Sequence, residues 1–143
     1  MTETYEDFEQ SVLNFKTACN NIYYLAQFTL KLIDSSQRVF WHPSNTERHK
    51  QSLLLIIALT DEPRTSNKIK QKLKEKKKEL EELGMLKRNT DQEFIFSSLN
   101  YLLKGTNYNR MVHNLKKDSS IFKEGNNIKL TSNANEALRK TII

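Results

Sequence analysis

The chain has 143 residues, a hydrophobic content of 37% and a formal net charge of +6. This length fits one domain, or one domain with an appendage, and a core of that size can form without metal or disulfide support. The sequence holds only three glycines and two prolines, which favours a mostly helical fold with few long loops. Because Cys19 is the single cysteine, an internal disulfide is excluded, and we expect a small buried side chain there.

The start of the chain and its apolar runs bear on cellular location. The acidic sequence MTETYEDFEQ lacks the basic and apolar regions of a signal peptide. The longest apolar run, at 53–59, is far too short to cross a bilayer. We therefore expect a soluble, cytoplasmic protein with no membrane partner.

Residue patterns that are typical of catalysis do not occur in this sequence. The three histidines, His42, His49 and His113, have no metal-ligand spacing and no cysteine partners. The sequence contains no glycine-rich phosphate loop and no nucleophile motif of the GxSxG type. We therefore expect a protein that is not an enzyme and that uses neither a metal nor a cofactor.

Residues 1–43 are predicted to form a long helix over about 5–33, followed by a linker. Apolar residues spaced four and three apart give this helix a heptad seam, and a second apolar stripe that includes Tyr24 and Phe28 lies beside it. Two apolar stripes allow one contact with the chain's own domain and another with a partner. We predict a homodimer, or docking on a protein partner, through Phe8, Val12, Phe15, Ile22, Ala26 and Ile33. The alternative is a core helix.

Residues 44–143 are predicted to form the second unit, which begins with two helices. The run Ser44-Asn45-Thr46-Glu47 has the form of a capping box and predicts a helix over 44–60. The run at 53–59 is apolar on every side, so we expect this helix to be the most buried element. A cap at 65–67 starts the next helix, which ends before Gly84. Lysines are concentrated in the first half of this helix and glutamates in its second half, which is typical of a solvated charged surface.

The last third of the chain carries the most informative pattern. Residues 97–117 predict a helix, a short turn and a basic helix that has Met111, Val112 and Leu115 on one side. The sequence SIFKEGNNIKL, residues 120–130, predicts two short strands joined by a turn, and Thr131 starts a closing helix. The apolar run at 93–96 is predicted to add a further strand from the segment 85–96 to this small sheet.

This order of elements resembles the recognition helix, wing and terminal helix of winged-helix DNA-binding domains. The resemblance covers residues 97–139, about a third of the chain. It implies a mainly α fold with a small β-hairpin, in which the basic helix contacts duplex DNA. A similar pattern at 66–96 leaves open a second, degenerate winged helix, and a helical protein with one small hairpin is the other interpretation.

The basic helix and the hairpin carry side chains suited to DNA. Arginine and asparagine can read guanine and adenine edges, and lysines neutralise phosphates. We predict a dimeric winged-helix protein that binds double-stranded DNA, as a small transcriptional regulator or a plasmid or phage replication or partition factor. The alternative is a non-enzymatic helical interaction subunit of a larger multi-protein complex. The predicted DNA-binding residues are Asn107, Asn109, Arg110, His113, Asn114, Lys117, Lys123, Asn127 and Lys129.

Overall fold

The structure, a computed structural model, describes residues 45–136 and consists mainly of helices with one small antiparallel sheet. This confirms the mainly α fold with a small hairpin. A short helical segment at 132–136 follows the last strand. The elements in chain order are helices α1 (Asn45–Leu59), α2 (Ser66–Leu83), α3 (Thr90–Leu102) and α4 (Asn107–Lys117), and strands β1 (Ile121–Glu124) and β2 (Asn127–Leu130).

Several predictions concern residues that lie outside the described part of the chain. These are the long N-terminal helix with its six oligomerisation positions, the linker that contains Trp41, and the capping role of Ser44. The end of the closing helix, at 137–143, also lies outside. The start of that helix is described, and the Thr131 hydroxyl accepts a hydrogen bond from the Ala134 amide at 3.2 Å, as a helix cap does.

Helix α1 forms the centre of the core. Every residue from Gln51 to Thr60 is buried, and the helix packs against α2, α3 and α4. This confirms the prediction that the apolar run at 53–59 is buried on every side. At its end, the Arg64 Nε donates hydrogen bonds to the carbonyls of Ile57 and Thr60, both at 2.9 Å. Burial lowers the pKa of Arg64, but an arginine stays charged at neutral pH, so its guanidinium caps the helix.

Helix α2 packs against the core through one apolar stripe. The Thr65 side chain caps its start by accepting from the Lys68 amide, and Gly84, at φ +73°, ends it. Leucine and isoleucine side chains, among them Leu73 and Leu80, fill the stripe. Lys76 occupies one position of that stripe and is only 3% exposed, with its Nζ 3.3 Å from the Glu79 carboxylate.

Helix α3 corrects one prediction. The strand predicted at 93–96 is wrong, because these residues belong to a helix that begins with a capping box. The Asn89 Oδ1 accepts from the Gln92 amide at 2.8 Å, and the Gln92 Oε1 accepts from the Asn89 amide at 3.0 Å. Ile95, Leu99 and Leu102 then follow at helical spacing, and all three are buried. The segment 85–96 therefore adds no strand to the sheet and forms no second wing.

A four-residue turn, 103–106, separates α3 from α4, where the sequence predicts a short turn. Gly105 adopts φ +54°, a backbone conformation that favours glycine. The side-chain Nδ2 of Asn107 donates to the Tyr101 carbonyl at 2.9 Å and so caps the end of α3. A short glycine-containing turn therefore joins the two helices.

The hairpin that follows is fixed against the segment after α1. Its register pairs Ile121 with Leu130 and Lys123 with Ile128, and a turn at 125–126 joins the strands. The Ile128 amide donates to the Arg64 carbonyl at 2.9 Å, and the Arg64 amide donates to the Asn127 Oδ1 at 2.7 Å. The hairpin therefore has a fixed place beside the ends of α1 and α4.

Candidate nucleic-acid interface

Helix α4 has two opposite faces of different chemistry. Its core face is formed by four buried side chains: Tyr108, Met111, Val112 and Leu115. Because successive residues of an α-helix are about 100° apart, Arg110, His113 and Lys117 lie on the side opposite that core face, and all three are exposed. The packing of the core face fixes the orientation of the helix, so these three side chains project to solvent.

The exposed face of α4 carries positive charge without nearby acids. The helix has no aspartate or glutamate, and Arg110, Lys116 and Lys117 form no ion pair within 45–136. Arg110 makes one contact, from its Nη1 to the Tyr101 hydroxyl at 3.4 Å, which is weak. Asp118 follows the helix, but its carboxylate pairs with Lys50 of α1. The cations of α4 are therefore available to an external anion.

The four asparagines predicted to contact DNA have different local roles. Asn109 is exposed, as the prediction requires. Asn107 is half-buried and donates to the Tyr101 carbonyl, and Asn114 is half-buried with its amide nitrogen 4.0 Å from the Met111 sulfur. Asn127 of the hairpin uses its amide oxygen to accept from the Arg64 amide. Asn109 is therefore the asparagine of this set with a fully solvent-facing amide.

The two lysines of the hairpin also differ. Lys123 is exposed and forms no ion pair with another described residue. The Lys129 Nζ lies 3.3 Å from the Glu124 carboxylate, with which it shares one face of the hairpin. Phe122, on that same face, is 45% exposed. The positive charge of the hairpin that is available to a ligand therefore lies mainly at Lys123.

A flank of this surface was missed by sequence reasoning. The Tyr108 hydroxyl of α4 donates to the Ser66 Oγ at 3.3 Å, and the Lys70 Nζ lies 4.9 Å from the centre of the Tyr108 ring. Burial raises the pKa of Tyr108, so its hydroxyl stays protonated and can donate. The first two turns of α2, with Lys68 and Lys70, therefore lie beside the start of α4. The lysine run in the sequence indicates the positive charge of α2. The contact of α2 with Tyr108 depends on tertiary packing, which the sequence pattern does not reveal.

Further along α2, the lysines lie close to glutamates of the same helix. Three pairs with spacings of three or four residues have N–O distances from 3.3 to 3.7 Å: Lys72–Glu75, Lys76–Glu79 and Lys77–Glu81. Such pairs reduce the local field, although each exposed pair adds little to stability. This part of α2 is therefore a weaker anion-binding surface than its lysine content indicates.

A cavity of about 300 Å³ opens between α1 and α3. The imidazole of His49 stacks on Tyr101 with ring centres 3.9 Å apart, and its Nδ1 lies 3.1 Å from the Ser98 Oγ. Burial, with a smaller contribution from the nearby Arg48 charge, lowers the pKa of His49. The walls of the cavity are Arg48, His49, Thr90, Glu93, Phe94, Ser97 and Ser98.

Metal-binding clusters and membrane-spanning helices are both absent from residues 45–136. That range contains no group of three or more histidine, cysteine, aspartate or glutamate side chains arranged to hold a metal ion. None of its helices combines the length and apolar character needed to cross a bilayer.

We use the name α4 surface for the exposed side chains of helix α4, of the first turns of α2 and of Lys123 in the hairpin. It combines cations that have no ion-pair partner in the described part of the chain with the exposed Asn109 amide and the His113 imidazole. Comparison of the chain with protein-family models, with curated proteins and with solved structures finds no match.

Proposed function

We propose that this protein binds double-stranded DNA through the α4 surface, as a small DNA-binding regulator or a replication or partition factor. Arg110, His113 and Asn109 face the base edges in this proposal. Lys117, Lys123 and the lysines at the start of α2 contact phosphates on either side. Arginine is the side chain best suited to a bidentate contact with guanine, and lysine provides affinity that does not depend on sequence.

One observation carries the proposal: α4 has a core face of four buried side chains and an opposite face without any acid. A helix fixed in this way can be inserted into a major groove, whose width matches that of an α-helix. The order of a helix, a glycine-containing turn, a basic helix and a hairpin also supports the winged-helix interpretation. In that interpretation the hairpin is the wing, and Lys123 is its phosphate contact.

Binding of a labelled duplex pool to the full chain, followed by fluorescence anisotropy at several salt concentrations, tests this proposal. We expect the logarithm of the association constant to fall steeply and linearly with the logarithm of salt concentration. For a site selected from that pool, Arg110→Ala should lower affinity by about 1–3 kcal/mol. Lys87→Ala is the matched control, because Lys87 is an exposed cation beyond the far end of α2. Equal affinities for the two variants would contradict the assignment.

We also propose that the protein is a homodimer through the predicted N-terminal helix. Sedimentation of the full chain at micromolar concentration should give a dimer, and Ile22→Asp should shift it to a monomer. An unpaired charge buried in an apolar seam costs several kcal/mol, about the scale on which dimers dissociate. A monomeric wild type would contradict this part of the proposal and leave the α4 surface unaffected.

A second candidate function, a helical subunit of a larger complex, is favoured by the loop between α2 and α3. Met85 is 75% exposed and Leu86 fully exposed. Arg88 holds this loop, since its Nη1 donates to the Leu80 carbonyl at 2.7 Å and its Nε lies 2.5 Å from the Glu93 carboxylate. If the protein is such a subunit, a partner protein should co-purify with the wild type, and Met85→Ser/Leu86→Ser should abolish that association. The wild type should then show no duplex binding.

A further inference from the structure

We propose that the cavity between α1 and α3 binds a small organic monoanion, a carboxylate attached to a planar apolar group. At about 300 Å³ the cavity is at the lower end of the size range of ligand pockets, and it suits a molecule with a single ring. None of the residues that line it belongs to the α4 surface, so this site does not depend on the proposed DNA binding. Three features of its walls determine the chemistry of the ligand.

The first feature is an arginine with a donor that has no partner. The Arg48 guanidinium lies over the Phe94 ring, 5.0 Å from its centre, and its Nε is buried with no hydrogen-bond partner among residues 45–136. A buried donor without an acceptor is costly, and native proteins rarely leave one in that state. The guanidinium as a whole lines the cavity, and a carboxylate there would form a charge-assisted hydrogen bond with it.

The second feature limits the charge of the ligand. Glu93 also lines the cavity, and its carboxylate is engaged by the Arg88 Nε at 2.5 Å. This ion pair weakens the negative charge of Glu93 without removing it. A dianion such as phosphate would be repelled more strongly by Glu93 than a carboxylate with one charge. The cavity walls therefore favour a monoanion.

The third feature is the combination of hydroxyl groups and an aromatic ring. Thr90 and Ser97 are exposed, and their hydroxyls make no hydrogen bond within the described range, so they can donate to the second oxygen of a carboxylate. Ser98 is engaged by His49 and contributes less. Phe94 is half-buried and offers an apolar ring edge to the remainder of the ligand. Together these groups match an aromatic carboxylate.

Titration of the full chain with benzoate, followed by NMR of backbone amides at constant ionic strength, tests this inference. We expect saturable shifts at residues 48–49 and 90–98, with a Kd no weaker than about 10 mM for a ligand of this size. Benzamide, which has the same shape without the charge, should bind at least about tenfold more weakly. Equal binding of benzoate and benzamide, or no saturable shift, would overturn the proposal.

A matched pair of variants makes the assignment specific. Arg48→Gln should weaken benzoate binding at least about tenfold, because it removes the charged donor. Lys104→Gln, which removes an exposed cation in the turn 103–106, should leave the Kd unchanged. Circular dichroism reports whether each variant folds. If Arg48→Gln does not fold, Ser97→Ala decides: weaker binding of benzoate supports the site, and unchanged binding by a folded variant contradicts it.

Discussion

Helices α2 and α4 have the same formal charge and differ in how that charge is arranged. Seven lysines and four glutamates give α2 a charge of +3, and one arginine with two lysines gives α4 the same value, with histidine counted as neutral. In α2, three lysines lie within ion-pair distance of glutamates one turn away. In α4 no acid is present, and no cation is paired within the described range.

This difference shows that net charge is a poor guide to an anion-binding surface. A ligand that approaches the middle of α2 must displace or tolerate glutamates, and a ligand that approaches α4 meets cations alone. The number of phosphates that a surface neutralises depends on the cations that are free to release counterions. If the comparison is correct, removal of equal charge from the two helices should have unequal effects on DNA binding.

The largest effect is expected from a pair of double variants that remove the same charge. Arg110→Gln/Lys117→Gln should lower the salt slope of duplex binding by about one unit, since the lost phosphate contact of Lys117 contributes about 0.9. It should also weaken binding to a selected site, because Arg110 no longer contacts a base. Lys72→Gln/Lys77→Gln should lower the salt slope by less than about one unit, because both lysines already lie near glutamates. Anisotropy titrations at several salt concentrations measure both slopes. Equal slopes would show that ion pairing within α2 does not matter.

A smaller effect is expected from the hairpin, where a free lysine and a paired lysine can be compared directly. Lys123→Ala should lower the salt slope by about one unit and weaken binding to all sequences alike. Lys129→Ala should have a smaller effect, because the Lys129 ammonium lies 3.3 Å from the Glu124 carboxylate. A larger effect at Lys129 than at Lys123 would place the phosphate contact on the other face of the hairpin.

A gain rather than a loss is expected when α2 is made to resemble α4. Glu75→Gln/Glu81→Gln would release Lys72 and Lys77 from their partners. We expect tighter duplex binding and a salt slope that is steeper by up to about one unit. The change in folding stability should be small, because exposed pairs of this kind contribute about 0.3–0.5 kcal/mol each. Unchanged affinity would mean that α2 beyond its first turns does not approach the duplex.

The smallest effect concerns pH and sets the conditions for these measurements. Burial, with help from Arg48, lowers the pKa of His49 below the ordinary value of 6.5, so the unfolded chain binds a proton at higher pH than the folded chain. The contribution of His49 to stability is complete above about pH 6.5 and is lost as the pH falls below it, by less than about 1 kcal/mol per unit after solvent screening. Denaturant unfolding between about pH 7.5 and 5.5 measures this slope.

The control for that slope is His49→Gln, which should make it shallower. Persistence of the full slope in this variant would assign the pH dependence to another group. The α2 and α4 variants should be compared above about pH 6.5, where the contribution of His49 to folding stability is constant.

Much of the helical framework is predictable from local signals. Heptad spacing and the Thr65 cap define α2, and the uninterrupted apolar run at 53–59 defines the buried α1. The two strands and the turn of the hairpin follow from alternating residues around Gly125. These features are set by neighbours a few residues away, so the sequence alone is sufficient to predict them.

The strand predicted at 93–96 fails because a short apolar run fits either a strand or a buried helix. The capping box formed by Asn89 and Gln92 is a local signal that distinguishes the two, and it lies just before the run.

The contacts that shape the candidate sites join residues that are far apart in the sequence. Ser66 meets Tyr108 across 42 positions, and Arg64 meets Asn127 across 63. No local pattern predicts contacts of that separation.

The contact between Arg64 and Ile128 has a consequence for hydrogen exchange in the hairpin. An isolated two-stranded hairpin is marginally stable in water, and its amides should exchange rapidly. The Ile128 amide instead donates to the Arg64 carbonyl, and the Ile128 side chain is fully buried. Its exchange should therefore require opening of the core and proceed as slowly as that of amides in α1, whereas amides at 124–126 should exchange through local opening. The second strand would then keep its place from Ile128, two residues after the turn, while only residues 124–126 open independently.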